Sequence, residues 1–263
     1  MKDSKYRSND KILEGKDIVK IFKVGNTFVE VIKGVNVTIR KGEFVILFGS
    51  SGCGKSTLLN ILLGLEVPTE GTVNFIGKEI YSFSEDDRSQ IRKEEVGLIY
   101  QQQNWIKSLN VLENVAFPLT LRGYNEMERN EKALELLRMV GMEGSSDQVP
   151  TELSSGQQQK VSFARALISS PVLLVADEPT GNLDSKSSES LMNLFKEYNS
   201  KGNTIIMVTH DLGFLPFATR SLNMSDGVII KEYLAGDKEL ERFKMITAKV
   251  LYEEQAEETK KDS

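Results

Sequence analysis

The sequence predicts an α/β fold, a parallel sheet covered by helices on both faces and interrupted by a helical insertion. Three observations carry that expectation. The runs Glu43–Phe48, Val172–Val175 and Thr204–Val208 are of strand length and almost wholly apolar, as strands buried on both faces must be. Segments of helical length separate them, which implies parallel pairing through crossovers. A glycine-rich loop follows the first run and leads into a helix.

In chain order, residues 1–15 are polar and read as a flexible lead-in. Asp17–Val24 and Phe28–Arg40 are rich in β-branched residues and flank a turn at Gly25-Asn26, so they read as strands of an antiparallel β subdomain. Ser56–Leu65 has the apolar spacing of a buried helix. Thr72–Tyr81 reads as a further strand and Glu85–Glu95 as a charged helix. From about residue 104 to 158 strong β runs are missing, and Val111–Leu121 and Glu126–Val140 read as helices of an inserted subdomain. A helix from Gly156 to about Ile168, the strand after Pro171, a helix over Ser185–Tyr198 and the strand at Thr204 complete a domain over 16–235. In the tail, 236–263, Leu240, Phe243, Ile246 and Val250 recur every three or four residues. That spacing predicts an amphipathic helix over Lys238–Glu257, packed on the domain or offered to a partner.

Composition removes several function classes. Lys and Arg number 33 against 38 Asp and Glu, a net charge of −5, which disfavours a nucleic-acid partner. One cysteine, Cys53, and one histidine, His210, leave no disulfide framework and no Cys/His zinc site. No apolar run approaches the ~18 residues of a membrane span. The charged Met1–Arg7 start lacks the apolar centre of a secretory signal, so a cytoplasmic location is expected.

Gly49-Ser50-Ser51-Gly52-Cys53-Gly54-Lys55-Ser56 matches G-x-x-x-x-G-K-[ST] between a strand and a helix, the context that motif requires. Glycines let backbone N–H groups turn inward, and the helix start adds positive potential. Lys55 brings a charge for the β- and γ-phosphates, Ser56 a hydroxyl for Mg²⁺, and Thr57 continues the loop into the helix. Cys53 reads as a small filler, since no histidine lies nearby in sequence to activate it. Leu173–Ala176 ends in Asp177-Glu178, two acids at the carboxyl end of a strand, where open α/β sheets bind ligands. Asp177 is expected in the metal shell and Glu178 as the group that polarises a water. His210, with Asp211, ends another strand; a lone histidine is more often structural, and its position here argues for function.

Taken together these motifs resemble the nucleotide-binding subunit of ATP-binding-cassette (ABC) transporters over about residues 15–235. Gln101 ends Val96–Tyr100 in the manner of the family's Q-loop. Leu153-Ser154-Ser155-Gly156-Gln157 is similar to the signature L-S-G-G-Q, Gly181–Asp184 to the D-loop, and Thr209-His210-Asp211 to the switch histidine. The resemblance implies a P-loop NTPase fold with a RecA-like parallel core sheet, an antiparallel β subdomain and an α-helical insertion. It implies ATP and Mg²⁺ as ligands, with Ser56, Gln101 and Asp177 around the metal and Glu178, His210, Gln101 and Lys55 in catalysis. Phe22 would stack on adenine, with Phe28 close by and a plain core role as the rival. Ser154, Gly156 and Gln157 would close over the γ-phosphate of an opposite subunit. One phosphate loop and one signature cannot complete that site, so a homodimer or a second ATPase subunit is implied. So is an integral membrane permease, with this chain peripheral on the inner face of the membrane.

Ser155 departs from the pattern, because the family usually has glycine there, and Lys160 stands where close relatives usually carry Arg. The wording of Gln101–Gln103, Ala176–Asp184 and Ile206–Asp211 is most similar to the branch of lipoprotein-release and macrolide-exporter ATPases. An exporter or mechanotransmission complex is therefore expected, with an ATPase of a non-transport membrane complex, such as a cell-division regulator, as the alternative. Soluble relatives of translation or DNA repair usually carry two cassettes or a long insertion, which this chain lacks. Asn104–Lys107, with the sole tryptophan Trp105, is expected to line the groove for the membrane partner, against ordinary subdomain packing.

Overall fold

The computed structural model describes residues 11–240. In chain order its strands are β1 (Lys11–Val24), β2 (Thr27–Arg40), β3 (Phe44–Phe48), β4 (Glu70–Phe75), β5 (Lys78–Glu79), β6 (Val96–Tyr100), β7 (Leu173–Asp177), β8 (Thr204–Thr209), β9 (Arg220–Ser225) and β10 (Val228–Leu234). The helices are α1 (Lys55–Leu62), α2 (Glu85–Glu95), α3 (Val111–Thr120), α4 (Glu126–Met139), α5 (Ser155–Leu167) and α6 (Ser185–Ser200).

The strands form two sheets. One is antiparallel, in the order β2-β1-β4-β5; the other runs β10-β9-β3-β8-β7-β6. In the second sheet β9, β3, β8, β7 and β6 are parallel, and β10 closes one edge antiparallel to β9. All five residues of β3 are buried. Phe44, Ile46 and Phe48 face a core built with α3 to α6, whereas Val45 and Leu47 face a core built with α1 and the antiparallel sheet. Each such side chain contributes about 1.5–3 kcal/mol on leaving water, which explains why an unbroken apolar run belongs in the middle of this sheet.

The helices start where their caps dictate. Asn110 and Glu113 form a capping box at α3, Ser154 and Gln157 another at α5, and the Asp184 carboxylate accepts from Ser187 N–H at α6. Helix α2 buries no residue. Arg88 and Arg92 both reach Glu85, and Arg92 also donates to the Gly64 carbonyl at 3.0 Å.

Several expectations are corrected. Strand β1 begins at Lys11, so 11–15 are strand and not a loose lead-in; Ile12 and Leu13 are fully buried. Thr72–Tyr81 is not one strand. Ile76 and Gly77 both have positive φ (51° and 75°) and turn β4 back into β5, followed by a 3-10 turn. Helix α2 ends at Glu95 as expected, and strand β6, which was not assigned from the sequence, follows it directly with no turn residue between them. The β9–β10 hairpin was also not anticipated, although Asp226-Gly227 (φ 45° and 80°) is a strong sequence signal for such a turn. At the carboxyl end Leu240 is buried in the helix-side core. The rest of the helix expected over Lys238–Glu257 lies outside the described residues.

Candidate active site

Sheet register gathers the site. Tyr100 pairs with Asp177, Asp177 with Val208, and Thr209 with Phe48. The residues that follow these strand ends are Gln101, Glu178, His210 and Gly49. Four segments distant in sequence therefore meet along one edge, the carboxyl ends of the parallel strands.

The phosphate loop is fixed by its backbone. Gly49, Gly52 and Gly54 have φ of 155°, 78° and 105°. A Cβ on Gly49 would lie 2.0 Å from the Met224 carbonyl oxygen, so the loop runs against β9 where no side chain fits. Gly54 is the N-cap of α1 and gives it no side-chain acceptor, so the first-turn N–H groups remain for another acceptor. Cys53 is buried and its carbonyl accepts from Gly227 N–H at 3.1 Å, which fits the filler reading. Lys55 is buried and donates to the Gly49 and Ser50 carbonyls, each at 2.9 Å. Ser50, Ser51 and Ser56 are exposed and Thr57 half-buried.

Ser56 Oγ donates to Asp177 Oδ1 at 3.3 Å across 121 residues of sequence. Burial pushes the Asp177 carboxyl up from its ordinary value, and the neighbouring Glu178 charge adds to this; Ser56 and Lys55 oppose it. A hydroxyl and a carboxylate held this way are hard oxygen donors of the kind Mg²⁺ takes alongside phosphate oxygens and water. Among the described residues no group of three or more His, Cys, Asp or Glu could hold a metal alone.

Glu178 sits just past β7 with φ 48°, and its N–H donates to the Val208 carbonyl at 2.9 Å. That bond holds a non-glycine residue in a left-handed conformation just past the strand end. Glu178 Oε2 lies 2.9 Å from His210 Nδ1. The approach is not aligned as a hydrogen bond, so this buried oxygen has no hydrogen-bond partner. The His210 side chain is 66% exposed against 20% for Glu178, so the imidazole faces outward from the pair. Gln101 Nε2 lies 3.5 Å from Asn182 Oδ1, and a Cβ on Gly181 would be 2.7 Å from Gln101 Nε2. Gln101 therefore rests on the loop after Glu178; Asn182 and Gly181 as its partners were not foreseen.

Phe22 is half-buried in β1, with the Lys20 ammonium 4.8 Å from its ring centroid. It belongs to neither core, which removes the plain core reading; Phe28 is 73% exposed. Ser154 N–H donates to Gln157 Oε1 at 2.9 Å and Gln157 N–H to Ser154 Oγ at 3.3 Å, so they cap their own helix. A Cβ on Gly156 would lie 2.7 Å from Ser187 Oγ, so glycine here permits the start of α5 to pack on the start of α6. Trp105 is half-buried, donates Nε1–H to Gln158 Oε1 at 2.8 Å and packs on the helix-side core.

The sequence model of the ABC transporter family matches residues 32–181. An uncharacterized ABC transporter ATP-binding protein of Methanocaldococcus jannaschii is 44% identical over 84% of this chain and 98% of its own length. A macrolide export ATP-binding/permease protein of Mannheimia succiniciproducens is 42% identical over 84% of this chain but only 34% of its own length. The chain thus spans about a third of that protein and of its macrolide-export counterparts. An ATP-binding cassette solved as a dimer in a post-hydrolysis state with ADP and Pi superposes with a TM-score of 0.79 at 38% identity, covering 86% of this chain and 99% of that one. With an α/β core, a glycine-built phosphate loop and paired carboxylates at its strand ends, the chain belongs to the ABC transporter family, as one of its ATP-hydrolysing cassettes.

Proposed function

We propose that this chain powers a membrane transporter by binding ATP with Mg²⁺ between two cassettes, and that two copies of it supply both. The observation that carries the reading is the convergence of the Ser56–Asp177 pair and the Glu178–His210 pair beside one phosphate loop. The loop N–H groups and Lys55 hold the phosphates, and Lys55 exchanges its two carbonyl partners for them. Ser56, Asp177 and Gln101 hold the metal, which neutralises charge on the phosphoryl group when bound. Glu178, whose Oε2 is otherwise unpartnered, orients a water, and the exposed His210 contacts the γ-phosphate. Phe22 stacks on adenine.

Ser154, Gly156 and Gln157 complete the site of the partner cassette. The dimeric form of a 38% identical cassette supports that assignment. The membrane partner is a permease that moves when the dimer opens and closes, of the exporter or mechanotransmission kind. The 42% identity to a macrolide export protein that carries its own permease supports this. Among the described residues no helix is long and apolar enough to cross a membrane, so the chain would sit peripherally on the inner face.

The test is affinity purification of tagged Glu178→Gln protein from detergent-solubilised native membranes with ATP. Hydrolysis is expected to fall at least about 100-fold, trapping the closed dimer on its partner. Co-purification of a permease with a large extracytoplasmic domain is the expected result; recovery of only soluble proteins would overturn the transporter assignment.

A further inference from the structure

At the amino ends of the parallel strands, the edge opposite the phosphate loop, α4, α5 and α6 leave a groove of about 290 Å³ between them. Pro171, just before β7, and Asn203, just before β8, lie at its strand end. Its floor is apolar: Phe163 of α5 is 1% exposed, while Met139 of α4 stands at the rim, 38% exposed. The two charged side chains that line it, Glu197 and Lys201 of α6, pair with each other at 2.8 Å. The groove therefore suits an apolar occupant better than a charged one. Its volume is at the low end for a small-ligand site and matches a few side chains of a chain segment.

The chain's own carboxyl-terminal segment sets out from the same strand ends, on the same face. Strand β10 runs antiparallel to β9, so it finishes where the parallel strands begin, and Ala235 N–H donates to the Thr219 carbonyl just before β9 at 3.0 Å. A helix then opens over residues 238–240. The Asp237 carboxylate caps it by accepting from Glu239 N–H at 2.9 Å, and Glu239 pairs with Lys231 at 2.5 Å. Leu240, the first apolar residue of that helix, is 3% exposed and belongs to the same core as Phe163. Residues 241–263 follow, and their sequence continues the stripe from Leu240 through Phe243, Ile246 and Val250. From β9 across β3 and β8 to β7 is roughly 14 Å at ordinary strand spacing. A helix from Leu240 to Val250 spans about 15 Å.

We propose that segment 241–263 docks in this groove and lays Phe243, Ile246 and Val250 against its apolar floor, as the continuation of the helix that starts at residue 238. Reach, a shared core and the apolar match favour the chain's own segment over a second copy or a separate partner. Met139 belongs to the inserted helical subdomain and Asn203 to the sheet domain, so the docked segment clasps the two together on the side away from the phosphate loop. The proposal is independent of how ATP is bound or hydrolysed.

Methionine oxidation in the full chain tests this. The protein is treated with hydrogen peroxide in the absence of nucleotide, and each methionine is followed by mass spectrometry. Met127, 81% exposed on α4, is the reference for Met139. Phe243→Asp combined with Ile246→Asp puts charge on the stripe and is expected to raise the Met139 rate relative to Met127 about fivefold or more. Ala248→Asp makes a similar change on the opposite side of the helix and should leave that ratio unchanged. Met192 and Met207, both 0% exposed, report unfolding. If they oxidise in the double variant, Val250→Asp alone is read in its place, with the same rise expected. An equal Met139 rate in the wild type and the stripe variant overturns the proposal, as does an equal rise with Ala248→Asp. Light scattering on the wild-type samples identifies the occupant. A monomer with Met139 protected is expected; protection that appears only as the chain dimerises gives the groove to a second copy and overturns the proposal.

Discussion

The phosphate loop and the Gln101 segment stand at adjacent strand ends yet are held by opposite means. The loop takes its shape from three glycines with positive φ and from contact with the Met224 backbone. The Gln101 segment has no glycine. It is pinned from outside, by Gln158, Gln159 and Arg165 on one side and by Asn114 on the other. Asn114 is fully buried, accepts from Ile106 N–H at 3.0 Å and donates to the Ile106, Leu109 and Asn110 carbonyls. A backbone-built loop is rigid, as a phosphate cradle must be. A loop built by side chains can change partners, which the role proposed for Gln101 requires.

The sharpest test of that contrast lies at Gly49. Gly49→Ala would put a methyl 2.0 Å from a backbone oxygen and is expected to destabilise the fold by about 3 kcal/mol or more and abolish ATP binding. Thermal melting and nucleotide titration check both. A variant that binds ATP normally would show that the loop shifts more easily than its packing implies.

Asn114→Ala acts on the other region and should have a smaller, separable effect. It removes four hydrogen bonds around a buried site, so a loss of about 2–3 kcal/mol is expected. Amide exchange should quicken at Ile106 and its neighbours while ATP affinity is kept. Loss of ATP affinity in step with stability would erase the distinction between the regions.

The same contrast explains what the sequence made legible. A local pattern set the phosphate loop, so Gly49–Ser56 could be read directly, and Asp177, Glu178 and His210 followed from their strand ends. Gln101 could be named, but what holds it could not. Its supports reach from α5 across 53 to 62 residues of sequence, and two of them, Gln158 and Gln159, sit inside a glutamine run that carries no signal of its own. Strand β6 went unassigned for a related reason: Val96–Tyr100 is a short run with no turn residue before it, and its place in the sheet is set by pairing with β7. The role of Gly156 was equally hidden, because its need for glycine is set by Ser187 on another helix.

Ser155 gives the smallest expected effect and bears on how glycines in a motif should be read. The signature pattern has glycine here, and glycine reaches backbone conformations that serine adopts less easily. Ser155 is instead the first residue of α5 and is not among the residues with positive φ. Serine adopts that conformation as readily as glycine, and glycine is less favourable by up to about 0.5 kcal/mol in a helix because it has more freedom to lose on folding. Ser155→Gly is therefore expected to leave ATP turnover unchanged and to lower stability slightly, by about 0.5 kcal/mol or less given its place in the first turn. Steady-state kinetics and denaturant unfolding measure the two. A clear rise in turnover would mean that close approach of a second cassette, and not the backbone of this one, is what calls for glycine at that position.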